Sequence, residues 1–361
     1  MIAYNESRWV VAVKYLKIFI FLIIMMFSFF FRAKLDISEV KETVLPKNIL
    51  TDEDYKRDMI DELGNIPIMM YHGIVNKEGT YQGNYDNDGY TRTLSAFRND
   101  LEMYYQKGYR MIKLDDYIHG RIDTEYGYSP IILTFDDGND NNILVDGIDD
   151  NGDIIINKYS AVYVLEEFKK KYPDYNVTAT FFVTDSLFNQ AEYDEKIVKW
   201  LIEHGYSIGN HTKHHDNLSK IDNDKIGNTV GYMYSKLNSI IGDNYSKIVA
   251  LPFGAPYNRD SDKFSYIIDS KYKEITYHTD AILRVGWEPE FSPFNKKVDM
   301  TYLKRCRAYD NDGKDFDIEY VFKMLDKNRY ISDGNKDTIV STKSKSDMIN
   351  NSYNLEVILY E

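Results

Sequence analysis

Two carboxylates at the end of an apolar run are the chain's first candidates for chemistry. Ile131-Ile132-Leu133-Thr134-Phe135 reads as a buried strand that runs directly into Asp136-Asp137-Gly138. In α/β architectures the C-terminal ends of strands collect ligands and catalytic groups. Adjacent residues on extended backbone face opposite sides, so the pair can divide two jobs in one site, a base and a metal ligand. An acidic turn is the plainer reading, since Asp-Gly pairs mark turns. A second cluster, His211-Thr212-Lys213-His214-His215, follows a short predicted strand ending at Gly209. Histidines at i and i+4 on one helical turn can converge on one ion, and His214 then points away. Asp137 with His211 and His215 forms a two-histidine, one-carboxylate set that leaves coordination positions open for water and substrate. Solvated loop histidines are the competing reading.

The elements that must position these groups alternate in type. Predicted strands are Ile66–His72, Tyr109–Leu114, Val177–Val183, Ile248–Leu251, Ile275–Tyr277 and Ala281–Trp287. Between them, helical periodicity covers Leu94–Lys107, Ala161–Lys171, Asp194–His204, Ile221–Ile241 and Asp260–Tyr272. Asn151-Gly152 between apolar runs predicts a hairpin, and within its acidic cluster the Gly is out of register with the ligand positions of an EF-hand loop. Strands and helices alternating at these lengths predict a parallel sheet, open or closed into a barrel.

With 361 residues and a net charge of -13, the chain can bury a large core and is a poor general nucleic-acid binder. The single cysteine, Cys306, excludes an internal disulfide framework and a cysteine-based zinc site. Thirty-two tyrosines suit a sugar-binding cleft, although a compositional bias of the source reads the same way. Ile18 to Phe31 is apolar apart from Ser28. With Trp9–Leu16 it approaches the ~20 residues of a membrane-crossing helix. No small-x-small cleavage site follows, so an uncleaved signal anchor is expected over a cleaved signal peptide. The expected organisation is an anchor over residues 1–34, a stalk over 35–64 and a catalytic domain over 65–361.

Thr134–Gly138 and His211–His215 together resemble the first two motifs of the NodB-type polysaccharide deacetylases, carbohydrate esterase family four. Ile66–His72 and Ala179–Val183 add to the resemblance, which spans Ile66 to Tyr257. It implies a distorted (β/α) barrel with fewer than eight units and a divalent metal, usually zinc. By motif position Asp137, His211 and His215 bind the metal, and Asp136 is the general base. Thr212 orients the histidine loop. In Leu251-Pro252-Phe253-Gly254, the third motif, the Phe253 N–H is the implied oxyanion donor and Pro252 holds the turn. Two departures stand out. The family's arginine before that motif is replaced by Ala250 and Leu251, which leaves Arg284 or Arg307 as candidates to pair with Asp136. The family's late Leu-x-His, whose histidine protonates the leaving amine, is also missing. His278, Asp333 or water then takes that part, unless His278 is merely a strand-end residue. Trp287 lines the sugar cleft or the core. The implied function is removal of N-acetyl groups from a cell-wall glycan such as peptidoglycan, outside the cytoplasm and at the cell membrane. A glycan-binding homologue without turnover and an O-acetyl esterase are the rivals.

Overall fold

The computed structural model describes residues 50–77 and 85–361, and Asp52–Glu361 form one compact unit. The apolar segment expected as an anchor, and residues 35–49 of the expected stalk, lie outside the described residues. Among the described residues no helix is long and apolar enough to cross a membrane.

Eight strands form the central sheet: β1 (Ile68–Tyr71), β2 (Tyr109–Met111), β3 (Ser129–Phe135), β4 (Thr180–Val183), β5 (Ser207–Asn210), β6 (Ile248–Ala250), β7 (Ala281–Leu283) and β8 (Cys306–Arg307). Their spatial order is β7-β6-β5-β4-β3-β1-β8, with β2 paired to the start of β3. Every pairing is parallel. Parallel strands are covered on both faces, so they appear in sequence as unbroken apolar runs rather than alternations. All seven residues of β3, and all of β4, β6 and β7, are buried.

The sheet curls until its edges meet one segment. Leu303 bridges Leu283 of β7, exchanging backbone hydrogen bonds with Ile282 and Arg284 at 2.9 Å. Shortly afterwards Cys306 and Arg307 pair with Met69 and Met70 of β1. The expected distorted barrel is thus an incomplete parallel one, with Leu303–Arg307 as its seam.

Helices α1 (Leu94–Gln106), α2 (Ala161–Lys171), α3 (Asp194–Glu203), α4 (Ile226–Ile241) and α5 (Ile318–Asn328) pack outside. Their apolar residues recur at helical spacing, as Phe97, Leu101 and Tyr104 do on α1. Thr93 and Asp317 cap α1 and α5 by accepting the N–H groups of Ala96 and Tyr320. Phe135 stacks between Tyr71 and Phe181, with ring centroids 5.4 and 4.9 Å away. The last core residues of β1 and β3 are therefore clamped immediately before His72 and Asp136.

Two boundaries differ from expectation. Residues 52–64 belong to the folded unit: Asp52–Arg57 is a helix, and Ile60, Glu62 and Leu63 are buried. Glu62 accepts from the Tyr330 hydroxyl and the Val340 N–H at 2.8 and 2.9 Å. This segment reads as polar because its buried acid is satisfied by residues nearly 300 positions away. The helix expected over Asp260–Tyr272 covers only Lys263–Ile268. Asp269–Tyr272 instead pairs antiparallel with Ile275–His278, reversed by Lys273 at φ +53°.

Candidate metal centre and active site

The site gathers at the C-terminal ends of the parallel strands, His72 after β1, Asp136 and Asp137 after β3, His211 after β5 and Leu251 after β6. Asp137 is in the left-handed region at φ +74° and is followed by Gly138 at φ +64°. The chain therefore turns between the two carboxylates rather than continuing extended. A Cβ on Gly138 would lie 1.8 Å from the Leu187 carbonyl oxygen. Gly138→Ala is expected to cost more than about 2 kcal/mol, from left-handed strain plus displacement of that loop. A thermal midpoint within a degree of the parent would contradict this.

The ligand atoms of Asp137, His211 and His215 lie within 4.8 Å of one another, the one such group among the described residues. Asp137 Oδ1 is 3.2 Å from His211 Nε2 and 3.3 Å from His215 Nε2. The His211 Nδ1 sits 2.8 Å from the Ala250 carbonyl oxygen. That carbonyl needs a donor, so the proton belongs on Nδ1 and the Nε2 lone pair faces Asp137. Asp137 Oδ1 is correspondingly buried without a hydrogen-bond partner. A buried, orphaned carboxylate oxygen opposite two imidazole nitrogens is what a divalent cation satisfies. The donor set fits the implied metal.

The histidines converge by a route other than a helical turn. Residues 211–215 form a loop in which Thr212 and His215 are left-handed, at φ +62° and +55°. Asn210, buried at the end of β5, donates to the Val230 carbonyl and accepts the Thr212 N–H. The Thr212 hydroxyl accepts the Asp216 N–H at 2.7 Å. His214 is exposed and outside the cluster. Pro252 is buried and opens the following turn, where Phe253 has φ +59°. Gly254 and Ala255 donate the turn's closing hydrogen bonds, which leaves the Phe253 N–H uncommitted to the turn. The exposed Phe253 ring lies 4.5 Å from His215.

Neither arginine expected beside Asp136 is there. Arg284 donates to the Val285 carbonyl and lies over Tyr302, and Arg307 stacks on Trp287 and Tyr90. The partner is Arg305, fully buried in the seam, whose Nη1 and Nη2 donate to the two carboxylate oxygens at 2.7 and 2.6 Å. Burial alone would raise the Asp136 carboxyl, but the Arg305 guanidinium and His211 hold it well below the usual carboxylate range. Asp136 is thus a carboxylate fixed and held ionised by Arg305, not the loosely held, stronger proton acceptor expected without a nearby cation.

The expected stand-ins for the missing histidine are also elsewhere. His278 ends the surface hairpin at 2.7 Å from Asp269. It precedes β7, so it lies at the N-terminal end of the sheet, opposite the site. Asp333 accepts from the Thr338 hydroxyl and the Asn335 N–H. The imidazole beside the base is His72, whose Nε2 is 4.0 Å from Asp136 Oδ2. Its Nδ1 is buried and unpartnered. Burial pushes His72 below the ordinary histidine value, against the pull of Asp136. Trp287 is half exposed at the rim rather than in the core.

Sequence reasoning reached the strand that ends at His72 but gave the residue no role. The strand-end rule that singled out Asp136 would have flagged it. Arg305 had no comparable signal, because a two-residue strand and a buried arginine resemble any charged loop.

Residues 124–266 match the family model for polysaccharide deacetylase. A peptidoglycan-N-acetylglucosamine deacetylase of Bacillus cereus is 32% identical over 130 residues, which span 36% of this chain and 38% of that one. The chain therefore matches under half the length of this curated relative. Among solved structures, the Streptococcus pyogenes deacetylase PplD in complex with acetate is 18% identical at a TM-score of 0.49, over 71% of this chain and 97% of that one. A de-N-acetylase from Aggregatibacter actinomycetemcomitans is 13% identical at a TM-score of 0.45, over 68% and 95%. The matched residues 124–266 include Asp136, Asp137, His211, His215 and Phe253. His72 and Arg305 lie outside them.

Proposed function

We propose that this chain, whose residues 124–266 match the polysaccharide deacetylase family model, is a metal-dependent hydrolase that removes N-acetyl groups from an amino-sugar polymer. The observation that carries the reading is the orphaned Asp137 Oδ1 facing His211 and His215, with the Arg305-clamped Asp136 next in the chain. Two imidazoles and one carboxylate suit zinc among the divalent ions. A cation held there supplies polarisation of the acetyl carbonyl and acidification of water.

The protein groups divide the remaining work. Asp136, ionised and held in one orientation by Arg305, accepts a proton as water attacks the acetyl carbon. The Phe253 N–H donates to the oxyanion of the tetrahedral intermediate. His72, whose Nε2 lies 4.0 Å from Asp136 Oδ2, takes that proton from Asp136 and delivers it to the departing nitrogen, which leaves both residues as they began. The C–N bond breaks to give acetate and a free amine, and the water is fully accounted for. His72→Gln is expected to lower turnover about 100-fold while metal content stays unchanged, since His72 is outside the ligand set. Unaltered turnover would remove it from the mechanism.

The rival reading of a glycan-binding protein without turnover rested on the missing arginine and histidine, and Arg305 and His72 stand where those groups are needed. A cell-wall glycan is the substrate class the Bacillus cereus relative's name suggests. The apolar run Ile18 to Phe31 is the reason to propose anchoring at the cell membrane, and a cell-wall substrate is the reason to place the domain on the extracytoplasmic side. The deciding experiment measures metal content and acetate release from N-acetylglucosamine oligomers before and after chelation. Loss of activity on chelation and its return with zinc or cobalt is expected. Full activity in a metal-free protein would overturn the proposal.

A further inference from the structure

The rim of the site carries a guanidinium that pairs with no carboxylate among the described residues. Among the described arginines, seven make ion pairs, namely 57, 92, 98, 110, 121, 259 and 305. In a chain of net charge -13 such pairing is the ordinary outcome. Arg307 is an exception, with no ion pair among the described residues, and it stands at the strand ends where the site forms.

Its position is built. The guanidinium carbon lies 5.2 Å from the Tyr90 ring centroid and 4.9 Å from that of Trp287. Nη2 donates to the Tyr90 hydroxyl at 3.0 Å, and Nε is buried without a hydrogen-bond partner. Gly89, at φ +74°, lets the backbone press on the side chain: a Cβ there would be 3.2 Å from Arg307 Cδ. Tyr90 packs edge-on against His72 at 5.1 Å between centroids, and His72 faces Asp136. A contact chain of two rings therefore joins the base to this cation. Tyr90 and Trp287 are 51% and 46% exposed, so the assembly opens to solvent.

A half-buried guanidinium held against two aromatic rings has lost rotamer freedom in advance, and its unused donors are what a carboxylate or phosphate accepts. Resting on the deacetylase reading above, we propose that Arg307, Tyr90 and Trp287 form an anion subsite. It selects glycans that carry a carboxylate or phosphate beside the N-acetylated sugar undergoing reaction. The rings offer stacking to a pyranose face, and Arg307 reads the charge.

The test uses the full chain and three oligosaccharides of equal length: a neutral N-acetylglucosamine oligomer, one bearing a sugar carboxylate, and one bearing a phosphate ester. Acetate release is followed for the parent, Arg307→Gln and Arg307→Lys. In parallel, calorimetric titration of the same three sugars into Asp136→Asn reads binding without turnover. The parent is expected to favour at least one anionic sugar over the neutral one by about tenfold to a hundredfold in kcat/KM, through KM. Arg307→Gln should collapse that ratio and Arg307→Lys should restore part of it. A merely structural role would lower all three substrates alike and leave the ratio unmoved. The two anionic arms separate carboxylate from phosphate recognition. Equal kcat/KM on all three sugars, with equal binding, overturns the anion subsite and leaves the deacetylase reading intact. Selective anion binding without acetate release from any sugar overturns the deacetylase reading instead.

Discussion

Asp136→Asn should abolish most turnover, by about 10²–10⁴-fold, while the protein keeps its metal. The amide is nearly isosteric with the carboxylate but cannot take a proton from water. Asp137, His211 and His215 are untouched, so metal content is expected to stay at the parent's value. The variant also exchanges one of Arg305's two carboxylate contacts, at 2.7 and 2.6 Å, for an amide that presents a donor to a donor. A lower thermal midpoint should therefore accompany the kinetic loss. Paired metal analysis and acetate release on folded protein separate these effects. A folded, metal-loaded variant with parental turnover would remove Asp136 as the base, and loss of the metal would move it into the ligand set.

Arg305→Met carries the largest expected cost in stability. Arg305 has no exposed surface and Asp136 is 2% exposed, so the substitution leaves a carboxylate buried without its fork of donors. Removing one partner of a buried ion pair typically costs about 3–5 kcal/mol, because the survivor has lost water and counter-charge together. Arg305 Nη1 also donates to the Thr134 hydroxyl at 3.2 Å and Nε to the Arg284 carbonyl at 3.3 Å, so the seam loosens as well. Urea unfolding of the parent, both single variants and Asp136→Asn/Arg305→Met forms a double-mutant cycle. The double variant is expected to recover a substantial part of the loss, since neither charge is then stranded, while remaining inactive. Strict additivity of the two single losses would mean that the pair is not energetically coupled. If Arg305→Met proves too unstable to isolate, Arg305→Lys keeps the charge but not the fork, and should fall between parent and Met.

Both experiments act on a pair that unites distant parts of the chain. Asp136 ends a strand in the middle of the sheet, whereas Arg305 lies in the segment that stitches its two edges together. The seam and the base are therefore coupled: the same side chain that packs the closing segment orients the carboxylate. This also explains how the site dispenses with an arginine before Pro252. The position is supplied from a third segment, and its donor geometry at Asp136 is complete.

The local part of this site was readable without a structure. The apolar run ending in Asp136-Asp137 marks a parallel strand, because such strands are covered on both faces and need no alternation. Periodic apolar spacing likewise marked α1 to α4, as on α1 at Phe97, Leu101 and Tyr104, whereas α5 over Ile318–Asn328 was not anticipated. These signals lie within a few residues of one another. Where tertiary contacts outweigh local preference, the reading changed. The expected helix gave way to a hairpin after Ile268, and the supposed stalk packed a satisfied Glu62 against Tyr330 and Val340. The i and i+4 histidines do converge, but through left-handed Thr212 and His215, conformations that residue spacing alone does not announce.

What the amino-acid order determined by itself is the set of groups available: two adjacent carboxylates, two imidazoles and the alternation of elements that brings strand ends to one face. Tertiary structure decided which cation steadies the base and which imidazole stands beside it. Arg284 and Arg307 carry the same guanidinium as Arg305, and His278 the same imidazole as His72. Only curling of the sheet puts Arg305 in the seam and His72 at the site's end of β1, and leaves His278 at the opposite end. Such long-range selection depends on sheet order and closure, which no local spacing encodes.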